Sequence, residues 1–438
     1  MLALLRQRDF GLLWTAGLIS IAGDFMLLIA LPLHVYALTG SALAGGGVYA
    51  SLLVPRVLLG SIAGVLVDRW DRKRTMVVVD LARAGILVPL VAVESNERLW
   101  LAYVVPGIAA TAGLLFGPAE NALLPRLVGE ERLTVANALN ALNNNIGRLI
   151  GPALGAALYA WDGIAVVVAI DAATYLVAAL LIALIVADGR PERDEDAEIA
   201  VGSVLLRTLR EWGDGLRLIQ GDRTLRVLLT ANVVGFIGEG TFGALGLAPL
   251  ILDVLGGTEA DVGLIASAQA IGGLIGGVAV ARIGNRLPVR LAIGGGLAGL
   301  GVADLVTTNA ANLVGEGRPA LLLAMAFMLL AGLPVTAEGA AQQTLIQRRV
   351  ADAYRGRVFG TMGAVTSVSI LIGLIGGGAL ADRVGIVPML SIGCGCWIAG
   401  GLIVLTQWPA EEPSIATDTT GTGAVATVPE ARPSPSHV

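Results

Sequence analysis

Residues 64–74 read GVLVDRWDRKR, a short charged turn between two long apolar segments. Residues 277–286 read GVAVARIGNR, which repeats the glycine, the following valine and two basic positions of the first stretch. Both copies are preceded by another glycine four residues earlier, at Gly60 and Gly273. The recurrence of one charged turn about 210 residues apart indicates that the chain is an internal duplication, as repeat architectures show in sequence.

The composition excludes an ordinary soluble protein. Hydrophobic residues make up 55% of the 438 residues and charged residues only 14%, against about 25% charged residues in a globular domain. The mean hydropathy is +0.78. These values argue against a nucleic-acid partner and a soluble enzyme, and the net charge of −5 selects no other partner.

Few residues are available for catalysis or metal binding. Lys73, the only lysine among 29 basic residues, lies between two arginines, so the chain has no Walker A loop. The two cysteines, Cys394 and Cys396, are too few for a disulfide framework or a zinc site. We find no HExxH or GxSxG motif. The sequence therefore predicts a protein that is not an enzyme and has no cofactor or metal.

Apolar stretches long enough to cross a bilayer, about 20 residues each, occur twelve times. We predict an all-α integral membrane protein with two pseudo-symmetric bundles of six helices. The predicted spans are 10–37, 43–67, 75–95, 99–123, 136–160, 164–187, 225–254, 261–283, 289–308, 318–342, 357–380 and 385–407.

The polar segments between and after the spans divide the chain. We predict an N-terminal bundle over 1–187, a cytoplasmic linker over 188–224, a C-terminal bundle over 225–408 and a disordered cytoplasmic tail over 409–438. Apolar residues of the linker, among them Val204, Leu205 and Ile219, recur at helical spacing with arginines between them. This pattern predicts an amphipathic helix on the membrane surface.

Arginine positions predict the orientation, because positively charged loops stay in the cytoplasm. Every second connection is rich in arginine or lysine, whereas the alternate connections hold only Arg98, Arg318 and Arg383. We therefore predict a multi-pass protein of the cytoplasmic (inner) membrane with both termini in the cytoplasm.

The two halves share further positions. Gly23-Asp24 in the first span matches Gly238-Glu239 in the seventh, and Gly151 and Gly155 match Gly373 and Gly377. Two bundles in the same orientation, related by an axis along the membrane normal, are typical of secondary transporters.

The charged turn resembles the signature between helices 2 and 3 of the major facilitator superfamily, with Asp71 in place of the usual glycine. The resemblance implies a conformational latch on the cytoplasmic side that holds the halves together, formed by Gly64, Asp68, Arg69, Arg72, Lys73 and Arg74. The alternative for Asp68 is a charge cluster that only anchors topology.

Residues 147–155, GRLIGPALG, are similar to the motif that marks antiporters of that superfamily, and its residues here are Gly147, Gly151, Pro152 and Gly155. Together with Arg355-Gly356-Arg357, they resemble the drug:proton antiporter branch related to macrolide efflux proteins and enterobactin exporters. This resemblance implies outward transport driven by protons.

Charges inside the membrane cost about 2.5–3.5 kcal/mol each on insertion scales, so they are usually functional. Removal of a carboxylate from water favours its protonated form, so that such a group can exchange a proton for a cationic drug. We predict Asp24, Arg148 and Glu239 as proton-coupling or substrate-binding residues. Arg148 needs a negative partner, which either carboxylate can supply, and the alternative role of Asp24 is purely structural.

Other polar and aromatic residues are candidates for lining the central cavity. They are Phe25, Arg56, Asp171, Phe236 and Phe242, with ordinary packing as the alternative for the aromatic residues. Asp80 and Arg83 lie three residues apart on one helix, so we predict a local ion pair between them. A cavity dominated by arginines favours an anionic cargo, and one dominated by carboxylates favours a cation.

These features predict a proton-coupled secondary transporter that exports lipophilic drugs or antibiotics by alternating access. Its expected partners are a small lipophilic substrate, protons and membrane lipid, and we predict a monomer. Two alternatives stay open. One is export of an endogenous metabolite such as a siderophore, or of a lipid. The other is a non-transporting membrane sensor or scaffold.

Overall fold

The structure is a computed structural model that describes residues 2–67, 70–187, 189, 201–283 and 287–409. Eleven helical segments in this part of the chain are long and apolar enough to cross a membrane. One of them, within Leu133–Ala183, contains two spans because the backbone breaks at Asp162 and Gly163. Gly163 has a φ of 71°, which glycine adopts without steric cost. The described residues therefore contain the twelve predicted spans, and the fold class is confirmed.

The spans are numbered α1–α12. In the first half they are α1 Arg8–Thr39, α2 Ala42–Val67, α3 Arg72–Leu87, α4 in two segments, Leu101–Gly113 and Phe116–Val128, and α5 and α6 on either side of the break in Leu133–Ala183. In the second half they are α7 Arg223–Leu245, α8 Glu259–Ile283, α9 Val289–Thr308, α10 Arg318–Arg349, α11 Asp352–Val384 and α12 Ile386–Gln407. Because the number of spans is even, α1 begins and α12 ends at the same end of the molecule, called here the terminal end. The opposite end is the distal end.

Local signals explain where the helices differ from the predicted spans. Asp71 accepts a hydrogen bond from the backbone N–H of Arg74 at 3.0 Å, so it caps the N-terminus of α3 and the helix begins at Arg72. This is the role of Asp71, which stands where the resembling signature has glycine. The predicted span 225–254 is interrupted at Gly246, whose φ of 67° ends α7. A short helix and one π-helical turn continue to Val254.

Glycines allow α5 to lie directly against α1. A Cβ atom on Gly147 would lie 2.5 Å from Cγ2 of Ile21, and one on Gly155 would lie 2.7 Å from Cα of Met26. The second half repeats this contact, because a Cβ on Gly377 of α11 would lie 3.0 Å from Cα of Thr241 on α7. Small residues at such spacing permit close approach of membrane helices. The matching glycines thus occupy equivalent contacts in the two halves.

The two halves share a hydrophobic core at the distal end. Leu33 of α1 belongs to the same cluster of buried residues as Leu250, Ile251 and Ile265 of the second half. Large apolar side chains also cover the outside of the bundle, for example Leu58, Val78 and Ile375, each more than 60% exposed. Lipid tails solvate such a surface, as expected for a membrane-spanning bundle.

A separate linker helix, Val201–Gly221, lies between the halves in the chain. Its described part packs on α11, where Thr361 donates a hydrogen bond to the Trp212 carbonyl at 3.2 Å and Arg357 lies 3.8 Å from Asp214. A Cβ on Gly215 would lie 2.6 Å from the Arg357 carbonyl oxygen. This end of the linker helix is therefore joined to the second half. The linker residues 188 and 190–200 and the tail residues 410–438 lie outside the described residues.

The described latch residues contact the segment that follows α6. Lys73 Nζ donates to the Ile185 carbonyl at 2.5 Å, and the Arg72 backbone N–H donates to the Gly189 carbonyl at 2.9 Å. Gly64 lies in the last turn of α2, and Arg74 lies 3.8 Å from Asp71. Asp68, Arg69 and, in the second copy, Arg286 lie outside the described residues. The described contacts join α3 to the end of the first half.

Candidate functional site

A central cavity of about 290 Å³ lies between the two halves. Its lining is largely apolar and includes Phe25 of α1, Phe242 of α7 and Met328 of α10. Pockets of this kind, with a few polar groups at defined places, are typical of small-molecule sites. The halves thus enclose a space suited to an apolar ligand.

Among the described residues, three charged ones line this cavity: Arg148 from α5, Glu239 from α7 and Asp304 from α9. Glu239 and Arg148 interact electrostatically, but neither Glu239 nor Asp24 lies within 4.0 Å of the Arg148 guanidinium. Asp304 is 7% exposed, and its Oδ1 has no hydrogen-bond partner among the described residues. Of the two predicted partners of Arg148, Glu239 therefore lies close enough to act on it electrostatically without a direct ion pair. Among the described residues, the cavity lining has two carboxyl groups and one guanidinium.

A second cavity of about 320 Å³ continues from the first towards the terminal end. Arg148 and Gln269 line both cavities, and Asn145 and Thr336 line the second. At the distal end the halves are joined by a hydrogen bond that the Tyr36 hydroxyl donates to the Asp253 carboxylate. A polar contact between the two halves therefore closes the space between them at the distal end.

A third, more polar cavity of about 470 Å³ lies inside the first bundle. At its deep end Arg83 donates to Asp24 Oδ1 at 2.8 Å, and the Tyr175 hydroxyl donates to the same oxygen. The Arg83 guanidinium also lies 4.2 Å from the centroid of the Tyr175 ring. Asp171 lies behind this group, fully buried, next to Gly23. Asp24 is therefore held by two donors inside one bundle.

Further polar groups of this cavity come from α2 to α5. Asn140 donates to Glu120 at 2.9 Å, and Asn143 donates to the Trp14 carbonyl at 2.8 Å. Arg56, Asp80 and Asn144 also line this cavity. Among the described residues, none lines both this polar cavity and the central one.

The structure brings only some of the predicted residues together. Arg148, Glu239, Phe25 and Phe242 share the central cavity. Asp24 and Arg56 lie instead in the polar cavity, and Phe236 packs on Trp397 with a ring-centroid distance of 5.1 Å. The expectation that Arg56 and Phe236 line the central cavity is therefore wrong, whereas the prediction that Asp24 takes part in proton coupling or substrate binding stays a prediction.

Two further expectations need correction. Arg83 of α3 pairs with Asp24 of α1 and not with Asp80 of its own helix. The packing of α1 against α3 brings the Asp24 carboxylate to 2.8 Å from the Arg83 guanidinium. Asp171 is fully buried and lines neither of these cavities. Asp304 was not singled out as a site residue, although its place within a span was the signal that could have identified it.

Comparisons with known proteins agree with this architecture. The profile of the Major Facilitator Superfamily matches residues 13–374. Macrolide efflux protein A of Streptococcus pyogenes is 29% identical over 382 residues, which cover 86% of this chain and 90% of that protein. Multidrug efflux pump Tap of Mycobacterium tuberculosis is 27% identical over 385 residues, which cover 85% and 86% of the two chains.

Solved structures show the same fold at low identity. A bacterial homologue of the iron transporter ferroportin in its inward-facing state aligns with a TM-score of 0.71 and 16% identity, over 91% of this chain and 98% of that one. The nucleoside transporter NupG aligns with a TM-score of 0.71 and 13% identity, over 91% and 100% of the chains. The chain is a multi-pass membrane protein and belongs to the Major Facilitator Superfamily.

Proposed function

We propose that this protein exports lipophilic cations, including drugs and antibiotics, across the cytoplasmic membrane in exchange for protons. The observation that carries the proposal is the central cavity, whose apolar lining contains two carboxyl groups and one guanidinium. An apolar wall favours a lipophilic substrate. The excess of carboxyl groups favours a cation over an anion, because a buried charge needs an opposite charge nearby.

The names of similar proteins support the class of substrate. Relatives that align over most of their length are named macrolide efflux protein A and multidrug efflux pump Tap. Their identities of 27–29% with this chain support export of drugs without specifying one compound. The glycines of the antiporter-like motif, which pack α5 against α1, also lie beside Phe25 and Arg148 of the cavity wall.

Alternating access requires that the cavity open to one side at a time. In our proposal the terminal end is cytoplasmic, because the arginine-rich connections lie there. The Tyr36–Asp253 hydrogen bond then closes the outer side, while the cavity at Arg148 and Gln269 extends towards the cytoplasm. Substrate would enter from the cytoplasm and leave after this outer contact opens.

We expect Glu239→Gln to raise the ethidium concentration needed for half-maximal export by at least about ten-fold, equivalent to about 1.4 kcal/mol. The substitution keeps the side-chain shape but removes one of the two carboxyl groups that line the cavity. Cells loaded with ethidium and expressing the wild type or the variant are compared by fluorescence, with and without a protonophore. We expect the protonophore to stop export by the wild type.

Glu338→Gln serves as the matched control, because Glu338 is also an acidic residue within a second-half span but does not line the central cavity. Equal export by wild type and Glu239→Gln would contradict a role for Glu239 in cation binding. If the well-expressed wild type exports no ethidium, the drug proposal is wrong, and siderophores and lipids are the next substrates to test.

We expect Tyr36→Phe to open the outer side more often, because it removes the hydrogen bond to Asp253 between the halves. A hydrogen bond to a charged group contributes about 1.5–3 kcal/mol, so the open population should rise about ten-fold or more. The measurement is labelling of a Leu247→Cys reporter in the cavity by a membrane-impermeant thiol reagent, with Cys394 and Cys396 replaced by Ser.

Tyr159→Phe is the control for this experiment. Tyr159 is another tyrosine near the distal end, but its hydroxyl contacts His34 of the same half at 3.2 Å. Unchanged labelling of Tyr36→Phe relative to Tyr159→Phe would show that the Tyr36–Asp253 contact does not hold the outer side closed.

A further inference from the structure

The polar cavity of the first bundle holds more acidic than basic groups. In the part of the chain that the structure describes, three carboxyl groups and two guanidinium groups line it, and a further buried carboxyl group lies behind Arg83. The acidic residues are Asp24, Asp80, Glu120 and, behind the cavity, Asp171, and the basic residues are Arg56 and Arg83. Buried charges must be compensated. This group of side chains therefore needs additional positive charge when all four carboxyl groups are ionised.

The carboxyl groups differ in the donors that reach them. Asp24 receives hydrogen bonds from Arg83 and Tyr175, one of them from a cation. Glu120 receives one from the amide of Asn140. Asp80 is 0% exposed, and neither of its carboxyl oxygens has a hydrogen-bond partner among the described residues. An ionised carboxyl group without donors is costly to bury, whereas a protonated one is not.

The helices around Asp80 supply little charge that could compensate an ionised carboxyl group at this position. Among the described residues that line the cavity with Asp80, the charged ones are Asp24 on α1, Arg56 on α2, Arg83 on α3 and Glu120 on α4. Those that α5 contributes are the amides of Asn140, Asn143 and Asn144. On α6 the nearby groups are Asp171 and Tyr175, which face Arg83. Arg83, the cation on the same helix, is already engaged by Asp24 at 2.8 Å.

We propose that the polar cavity of the first bundle is the proton-binding site of the transporter, separate from the substrate cavity, and that Asp80 carries the exchangeable proton. Asp24 stays paired with Arg83 and holds that guanidinium away from Asp80. On release, the O–H bond of the Asp80 carboxyl group breaks, the electron pair stays on the oxygen, and water in the cavity accepts the proton. Asp80 lies eight residues after the start of α3, about 12 Å from the terminal end of that helix.

Two helices connect this proton site to the substrate site. Asp24 and Phe25 are consecutive on α1, and Asp24 lines the polar cavity while Phe25 lines the central one. On α5, Asn144 and Arg148 are divided between the two cavities in the same way. The glycine contacts between α1 and α5 make these helices a closely packed pair. A substrate that displaces Phe25 therefore moves Asp24, and with it Arg83, relative to Asp80.

The inference rests on the proposed function, and its test uses the purified full-length protein in weakly buffered detergent solution with a pH indicator dye. Addition of ethidium to the wild type should release protons. In Asp80→Asn we expect this release to fall at least about ten-fold, because the group that binds the proton is gone. Ethidium binding, followed by its fluorescence, should persist, and Asp80→Glu should restore part of the release.

Asp162→Asn, an exposed position at the break between α5 and α6, is the matched control and should release protons like the wild type. Undiminished release by an Asp80→Asn variant that binds ethidium would overturn the assignment of Asp80 and leave the proposed function intact. A wild type that binds and exports ethidium without proton release would overturn proton coupling itself, and this inference with it.

A second measurement separates coupling from folding. In vesicles, Asp80→Asn should still exchange internal for external ethidium, because exchange needs no net proton movement. When a pH gradient is imposed, however, the variant should not export ethidium against its concentration gradient. Uphill export by Asp80→Asn at the wild-type rate would also overturn the inference.

Discussion

Asp24→Asn is expected to abolish proton-driven export of ethidium while the protein remains folded. The substitution removes the negative charge that engages Arg83 at 2.8 Å but keeps a side chain of the same size with an oxygen acceptor. The freed guanidinium is then attracted to the remaining carboxyl groups near it. A proton-carrying group beside an uncompensated arginine is held in its ionised form, so the proton cycle stops.

The protein should tolerate this change because Arg83 retains negative charge in its surroundings. Asp80 and Asp171 both act electrostatically on Arg83, and the Tyr175 ring lies 4.2 Å from its guanidinium. A cation buried without any partner would instead cost about 3–5 kcal/mol and endanger folding. Because several carboxyl groups surround Arg83, the protein should still fold when one of them is removed.

The measurement is ethidium export from loaded cells with and without a protonophore, together with size-exclusion chromatography of the extracted protein. Asp162→Asn, the same chemical change at an exposed position, controls for expression and handling. We expect export by Asp24→Asn to equal that of cells without the transporter. Wild-type export by well-folded Asp24→Asn would refute a role for Asp24 in coupling.

Gly155→Leu is expected to prevent formation of a stable bundle. A Cβ at this position would lie 2.7 Å from Cα and 2.9 Å from the carbonyl carbon of Met26, so the clash is with backbone and no side-chain rotation relieves it. Overpacking commonly costs about 1–3 kcal/mol, and we expect a cost at or above the upper limit because α1 and α5 must separate. Such separation would also displace Phe25 and Asp24.

Gly85→Leu provides the comparison, because a Cβ on this exposed residue of α3 meets no atom within 4 Å. The measurement is the fraction of each variant that elutes as a monodisperse peak after detergent extraction, and its midpoint of thermal unfolding. We expect Gly155→Leu to lose most of the folded fraction and Gly85→Leu to keep it. Equal stability of the two variants would contradict the close α1–α5 contact.

Much of the fold could be predicted from the sequence because its signals are local. Apolar stretches of about 20 residues identify spans, and the twelve predicted spans correspond to α1–α12. A capping residue that fixes a helix end is also visible in the sequence, as Asp71 is before α3. The matched glycines at 151/155 and 373/377 indicated a repeat that the structure shows as equivalent helix contacts.

The repeat did not predict the chemistry of the site. Gly23 and Gly238 occupy equivalent contacts, since the first packs on Asp171 of α6 and the second on Cys396 of α12. The carboxyl residues that follow them nevertheless line different cavities, Asp24 the polar one and Glu239 the central one. The difference arises because α3 supplies Arg83 to Asp24, whereas α9 supplies a second acid, Asp304, to the cavity of Glu239.

The sequence by itself determined the membrane class of the protein and its division into two related sets of apolar helices, because hydropathy and small-residue spacing act within one helix. Only the tertiary structure decided which charges meet. The ion pair of Arg83 with Asp24 joins residues 59 positions apart, although Asp80 is three positions away. Contacts of this kind depend on how each helix is rotated about its axis against its neighbours, and no signal within a single span specifies that rotation.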